Sequence, residues 1–172
     1  MSAALQNEIA AARPRPSAEV RHLVSDLFAE YTHRIDANEL EQWLDLFTAD
    51  ADYRIVLREN VEQGLPGIIM WCDSRNMLRD RVESYRHVNE YNLHWDRHVI
   101  GPARFLANAG GTWTVEASYI LAQTAQENGE TRLFSVGLYR CEVRIEDGAA
   151  LFSRVEVVAD TGLVPTLLAT PI

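Results

Sequence analysis

The sequence predicts a single α+β domain, with amphipathic helices near its N-terminus covering the concave face of a strongly bent antiparallel sheet. Three observations carry this expectation. Apolar residues recur every three or four positions in the first part of the chain, they alternate with polar residues from Thr112 onward, and Asn-Gly and Asp-Gly pairs punctuate the alternating part. The 172 residues, 47% of them hydrophobic, suffice for one core that removes roughly 70% of the unfolded surface from water.

Residues 1–16 mix alanine with Pro14 and Pro16 and read as a weakly structured arm, leaving 17–172 for the domain. From there Val20, Leu23, Val24, Leu27, Phe28, Tyr31 and Ile35 form one stripe along a helix that Ser17 can cap and Pro16 can delimit. A second, shorter helix lies in "NELEQWLDLF", with Asn38 as its expected cap and Leu40, Trp43, Leu44 and Phe47 on one face. "DYRIVL" alternates and is rich in branched residues, which predicts a strand over 52–57. The Gly/Pro-punctuated "EQGLPGIIMWC" follows. Asp73 or Ser74 can then cap a third helix whose apolar face is Met77, Leu78, Val82 and Tyr85, and the pattern dissolves in "RHVNEYN".

A strand is expected over 97–106. After it, Trp113, Val115, Ala117, Tyr119 and Leu121 alternate with polar neighbours, and turns are expected at "ENGE" (127–130) and "EDGA" (146–149), where a type I′ turn needs positive φ at both central residues. The result is a meander of about four long antiparallel strands. Neither an internal repeat nor a low-complexity tract interrupts it.

Charge and cysteine content exclude several classes of function. Sixteen basic against twenty-five acidic residues give a net charge of -9, which repels nucleic acid and anionic lipid. The longest apolar run, 67–72, is far shorter than the ~20 residues a helix needs to cross a bilayer, and no signal peptide is evident, so a soluble cytoplasmic protein is expected. Cys72 and Cys141 are too few and too far apart for a disulfide framework, a CxxC pair or an iron-sulfur cluster held by this chain alone.

"HWDRH" (94–98) invites a metal reading. Histidines four apart share one face of a helix and can hold one ion, whereas on a strand they are separated by roughly 13 Å. His98 adjoins the branched Val99 and Ile100 and falls at the start of a strand, with His94 in the loop before it. That argues against a chelate. Arg97 and His98 are expected to anchor loops or another chain by hydrogen bonds.

Four stretches, "LEQWLDLFTADADYRI" (40–55), "GIIMWCDSRNMLRDRV" (67–82), "HWDRHVIG" (94–101) and "VADTGLVPTLLATPI" (158–172), occur in the order found in one family. Together they resemble the small (β) subunits of aromatic-ring-hydroxylating dioxygenases, which share a cone-shaped fold with nuclear transport factor two, scytalone dehydratase and ketosteroid isomerase. The second and third are most similar to subunits of oxygenases acting on carboxylated aromatics such as terephthalate, anthranilate, salicylate or halobenzoate. The resemblance implies three catalytic α and three β chains. It further implies a homotrimeric β base that scaffolds the α subunits, and a Rieske [2Fe–2S] cluster and mononuclear iron carried by α alone. On that implication this chain has no catalytic residue, cofactor or metal of its own.

Relatives with the cone fold also act alone as dehydratases or isomerases, and Tyr31, Asp36, Asp52, Tyr53 and His98 could converge on such a pocket. Against that stands the expectation that Trp43, Phe47, Trp71, Phe134 and Tyr139 fill the cone, and that Asp50 and Asp52 cap turns. A non-catalytic binder of small molecules is a third possibility. For the scaffold, the expected subunit interface is the outer sheet face with Phe134, Val136, Leu138, Arg140, Arg144, Phe152, Arg154 and Glu156, joined by Trp95, Arg97 and His98. One register slip would swap every side chain on such a face. If the helical stripes bound the core, Leu27→Ala and Leu44→Ala will each cost ~2 to 5 kcal/mol in urea denaturation.

Overall fold

The computed structural model describes residues 14–88, 92–160, 162, 168 and 170–172; most of the expected arm, 1–13, lies outside them. Helix α1 spans Ala18–Asp36 and is capped by Ser17, whose hydroxyl oxygen accepts from the Val20 N–H at 3.2 Å. Its buried stripe is Val24, Leu27, Phe28, Tyr31 and Ile35. Asn38 does not cap the next helix as expected. It adopts a φ of 60°, a left-handed conformation that asparagine tolerates better than most residues and that a capping residue does not use. Its side-chain oxygen accepts from Arg86 at 2.8 Å instead. Helix α2, Leu40–Trp43, then runs into a 3₁₀ turn, Leu44–Leu46.

Strand β1, Phe47–Leu57, begins earlier than its alternating pattern suggests, so Asp50 and Asp52 stand on a strand and not in a turn. Helix α3 (Arg58–Gln63) follows β1, and the Gly/Pro-punctuated stretch ends in edge strand β2 (Ile68–Cys72), neither of which its pattern predicted. Ser74, and not Asp73, caps helix α4 (Arg75–His87) through the Met77 N–H. Leu78, Val82 and Tyr85 are buried by α4 while Met77 faces out. The single strand expected over 97–106 is two, β3 (His94–Ile100) and β4 (Arg104–Ala109), both paired with β5 (Thr112–Ala125). The break falls at Gly101 and Pro102, where proline cannot donate to the ladder. His94 is therefore a strand residue too.

Strands β6 (Thr131–Glu146) and β7 (Ala149–Ala159) complete a sheet of order β2-β1-β7-β6-β5-β3, with β4 also on β5. The α+β class is as expected, and the sheet is curled but unclosed. Its β1·β7 pair is parallel, which the meander did not anticipate. At 147–148 both central residues have positive φ, as a type I′ turn requires, whereas at 128–129 only Gly129 does and its N–H bonds back to the Ala125 carbonyl in a longer loop.

Two bulges decide which residues face inward. Leu121 pairs with Ser135 and Ala122 with Leu133, so Phe134 is the extra residue; Glu142 pairs with Arg154 and Val143 with Phe152, so Ser153 is extra. Each insertion shifts the alternation by one. Phe134 and Phe152 are consequently buried in the core and not on the outer face where strict alternation put them. Trp71 departs in the opposite sense: expected to fill the cone, it lies on the outer face at 50% exposure.

The core sits between α1, α2 and the concave sheet face. Tyr31 on α1 meets Trp43, Phe47, Tyr139 and Phe152, ring centroids 5.5 to 6.3 Å apart and tilted or edge-on. Gly137 lies in a tight crossing of β6 and β7, where a Cβ would drive into the Val158 carbonyl oxygen and stand 2.9 Å from the Tyr119 ring. Both obstacles are held, one of them by backbone. Gly137→Ala is therefore expected to lower stability by about 1–3 kcal/mol, read as a lower urea midpoint at constant slope.

Candidate functional site

The five side chains of a proton-transfer site do not converge; they divide among three places. Tyr31 and Tyr53 are fully buried in the cone and face the chain's own Ile172, whose carbonyl oxygen accepts from their hydroxyls at 2.6 and 3.0 Å. Ile172 N–H donates in turn to the Tyr53 oxygen at 3.1 Å. Burial, and then the neighbouring tyrosines, push the Tyr31 hydroxyl well above its ordinary range, and burial raises Tyr53 as well. Both stay protonated and serve as donors, not as bases.

Asp36 and His98 form a second pair where the C-terminal end of α1 meets β3. Asp36 accepts from the His98 backbone N–H at 3.0 Å and lies 2.6 Å from its Nδ1, with Arg97 at 3.7 Å. A carboxylate at the negative end of a helix dipole is unfavourable, and these donors offset it. With Nδ1 committed to Asp36, His98 Nε2 is buried without a hydrogen-bond partner among the described residues. The pair latches helix to sheet. Because its side chain is fully covered, His98 cannot itself present a surface to another chain.

Asp52 is elsewhere again, on the outer face of β1. It takes hydrogen bonds from Arg54 and from the Trp71 indole at 2.9 Å each, and the Arg54 guanidinium stacks 5.1 Å from the Trp71 ring. Nor do the thiols meet. Cys72 pairs with Tyr53, Tyr53 with Val155 and Val155 with Cys141 in one row across four strands, which sets the cysteines roughly 14 Å apart. Burial raises both thiols. No group of three or more His, Cys, Asp or Glu among the described residues is placed to hold a metal.

What remains is the outer face, which divides into two zones. Arg104, Glu116, Arg140, Glu156 and Arg54 succeed one another in register across β4, β5, β6, β7 and β1, alternating in sign. Arg140 approaches Glu116 at 3.5 Å and Glu156 at 3.8 Å, so it is partnered within the sheet. Toward β3 the face turns apolar. Trp95, Val99, Ile120 and Leu133 are 47% to 65% exposed, and Val99, Ile120 and Val136 lie in one cross-strand row. Leu138 is half-buried beside them. Val99, Ile120 and Leu133 were missed in the sequence, although Val99 shares the parity of Trp95 and Arg97. Single surface apolar residues are ordinary, whereas a contiguous row marks a contact surface.

Residues 16–156 match the SnoaL-like domain family. The chain is 41% identical over 143 residues to the anthranilate 1,2-dioxygenase small subunit of Burkholderia cepacia, covering 83% of this chain and 88% of that one. The chain belongs to the family of aromatic-ring-hydroxylating dioxygenase small subunits. Terephthalate 1,2-dioxygenase terminal oxygenase component subunit beta 1 of a Comamonas species is 31% identical, over 84% of this chain and 93% of that one. The crystal structure of a beta subunit assigned to an aromatic-ring-hydroxylating dioxygenase of Novosphingobium aromaticivorans superposes with a TM-score of 0.81 at 38% identity, covering 89% and 97% of the two chains. In this small subunit the Asp36 latch is structural. Asp36→Ala, which strands a buried N–H and a ring Nδ1, is expected to cost about 3 kcal/mol or more in urea, with Asp36→Asn losing less because one oxygen still accepts.

Proposed function

We propose that this chain is the non-catalytic small subunit of a Rieske non-haem iron dioxygenase that hydroxylates a carboxylated aromatic ring, and that it scaffolds the catalytic α subunits. The observation that carries this reading is the 41% identity, over most of both chains, to a small subunit of anthranilate 1,2-dioxygenase. The dispersal of Tyr31, Asp36, Asp52, Tyr53 and His98 supports it against a dehydratase or isomerase, since general acid–base catalysis needs its groups within hydrogen-bond reach of one substrate. The residues present also do not fit either iron centre. A Rieske cluster takes two cysteines and two histidines and a mononuclear site two histidines and a carboxylate, yet the two cysteines here are strands apart and His94 and His98 are separated by four residues of strand. Both centres therefore belong to the partner α subunit.

The apolar end of the outer face, with Trp95, Arg97, Val99, Ile120, Leu133, Val136 and Leu138, is the surface through which the chain meets neighbouring subunits in a β homotrimer carrying α. Its area is next to an edge strand and free of the ion pairs that satisfy Arg140. Phe134 and His98, buried on the same strands, lie on the inner side of that surface, whereas Phe152 packs against Phe28, Tyr31 and Phe47 away from it. No described helix is long and apolar enough to cross a membrane, and free, buried Cys72 and Cys141 suit the reducing cytoplasm.

Co-expression with an α chain bearing Rieske and mononuclear-iron ligands is expected to give a brown complex, and the chain alone a colourless preparation without stoichiometric iron. Iron bound tightly by the chain alone, or turnover of a hydroxy or keto compound by it, would overturn the assignment. Leu133→Glu and Val99→Glu, both exposed in the single chain, are expected to leave its thermal midpoint within a few degrees while dissociating the complex on size exclusion. An intact complex from both variants rejects this face.

A further inference from the structure

The subunit role makes no use of the cone interior, yet that interior contains a formed recognition geometry. Two hydroxyls from different elements, Tyr31 on α1 and Tyr53 on β1, converge on one oxygen, the carbonyl of Ile172, at 2.6 and 3.0 Å. A few residues back, Arg81 of α4 donates to the Leu168 carbonyl at 2.9 Å. Leu168, Thr170 and Ile172 are all buried, Ile172 to 3% exposure. None of these three belongs to a helix or strand, so the segment is held by side chains that reach for its backbone.

We propose that the cone is a latent binding site for a small apolar molecule bearing a carbonyl-type oxygen, an amide or a carboxylate, and that Leu168, Thr170 and Ile172 occupy it in cis. The walls do not depend on the occupant. Tyr31 is fixed by four other rings, and Tyr53 by Trp43 and Phe47 at 5.8 and 6.4 Å. Close-packed aromatic rings collapse little when a neighbour leaves, so departure of Leu168 and Ile172 leaves a cavity. Departure also leaves the Tyr53 hydroxyl without its acceptor and Tyr31 with only the Tyr53 oxygen at 3.5 Å, which favours any entrant that supplies an acceptor oxygen. The occupant, by contrast, has no helix or strand at Leu168, Thr170 or Ile172, and its described backbone bonds come from Arg81, Tyr31 and Tyr53, which places it among the segments that open locally before the core does. The Tyr53 hydroxyl also accepts from the Ile172 N–H at 3.1 Å, so a ligand with an N–H near its carbonyl reproduces every bond the segment makes there.

The test compares the full chain with one ended after residue 167, by thermal midpoint with and without two probes. N-acetyl-L-isoleucine methylamide represents the amide source and benzoate the carboxylate source. One or both probes at large excess are expected to raise the midpoint of the shortened chain by roughly 5 °C or more, to leave the full chain nearly unmoved, and to lose their effect when Tyr31→Phe and Tyr53→Phe are combined in the shortened chain. A shortened chain that folds and responds to neither probe, or responds equally without the two hydroxyls, overturns the proposal. If the shortened chain does not fold, amide exchange in the full chain decides. Ile172 N–H exchanging faster than the β5 and β6 core, and faster still with the probe, supports a site that opens; exchange only through global unfolding rejects it.

Discussion

Every layer of this molecule is tied to the position of Tyr31. A sheet bent this strongly presents a concave apolar face that water would otherwise reach, and one helix cannot cover it with aliphatic side chains alone. Tyr31 projects from α1 into the middle of that face and meets rings from α2, β1, β6 and β7. Its hydroxyl then needs an acceptor, because an unpaired phenol at full burial costs as much as a lost core contact. The chain supplies the acceptor from Ile172. One side chain thus couples the first helix, the sheet and Ile172, its ring through packing and its hydroxyl through a hydrogen bond.

Filling the cone in this way occupies the space in which the fold could otherwise enclose a reaction. The same shell can enclose a reaction only if polar groups converge on an open interior, and here the interior polar groups are spent on structure. Asp36 and His98 fasten α1 to β3, and the tyrosines fasten the tail. On the outer face, ion pairs between strands neutralise Arg104, Glu116, Arg140 and Glu156 along the sheet. Exposed pairs of this kind add little stability singly. Their greater effect is negative: opposite charges set in register across neighbouring strands oppose the slips that would misplace every outward side chain.

Much of this was legible in the sequence, and the exceptions have local causes. The helical stripes predicted the buried residues of α1 because a 3.6-residue period survives without knowledge of partners, and Ser17 capped where expected. Strand faces were less legible. Phe134 and Phe152 look like outer-face residues under strict alternation, and only the bulges at Phe134 and Ser153 turn them inward. No residue at either bulge announces it, since neither is a glycine. Trp71 was misjudged because bulk was taken as a mark of burial, whereas its indole finds Asp52 and Arg54 outside. The sequence grouped Tyr31, Asp36, Tyr53 and His98 in one pocket; that Tyr31 meets Tyr53, 22 positions on, and Asp36 meets His98, 62 positions on, in separate places is decided only by the tertiary fold.

The β3 edge combines an open ladder with exposed apolar side chains. Among the described residues β3 ends the sheet, so one side of its backbone has no strand partner there, and Trp95 and Val99 stand exposed along it. An apolar edge of this kind pairs indiscriminately unless something blocks it. Arg97, between the two and 69% exposed, is the charge that interrupts the row. One arginine makes non-specific pairing costly without removing the apolar area, and a partner that supplies an acceptor for Arg97 while covering Trp95 and Val99 meets no such obstacle. An edge of this composition favours a partner that offers both features over one that offers either alone.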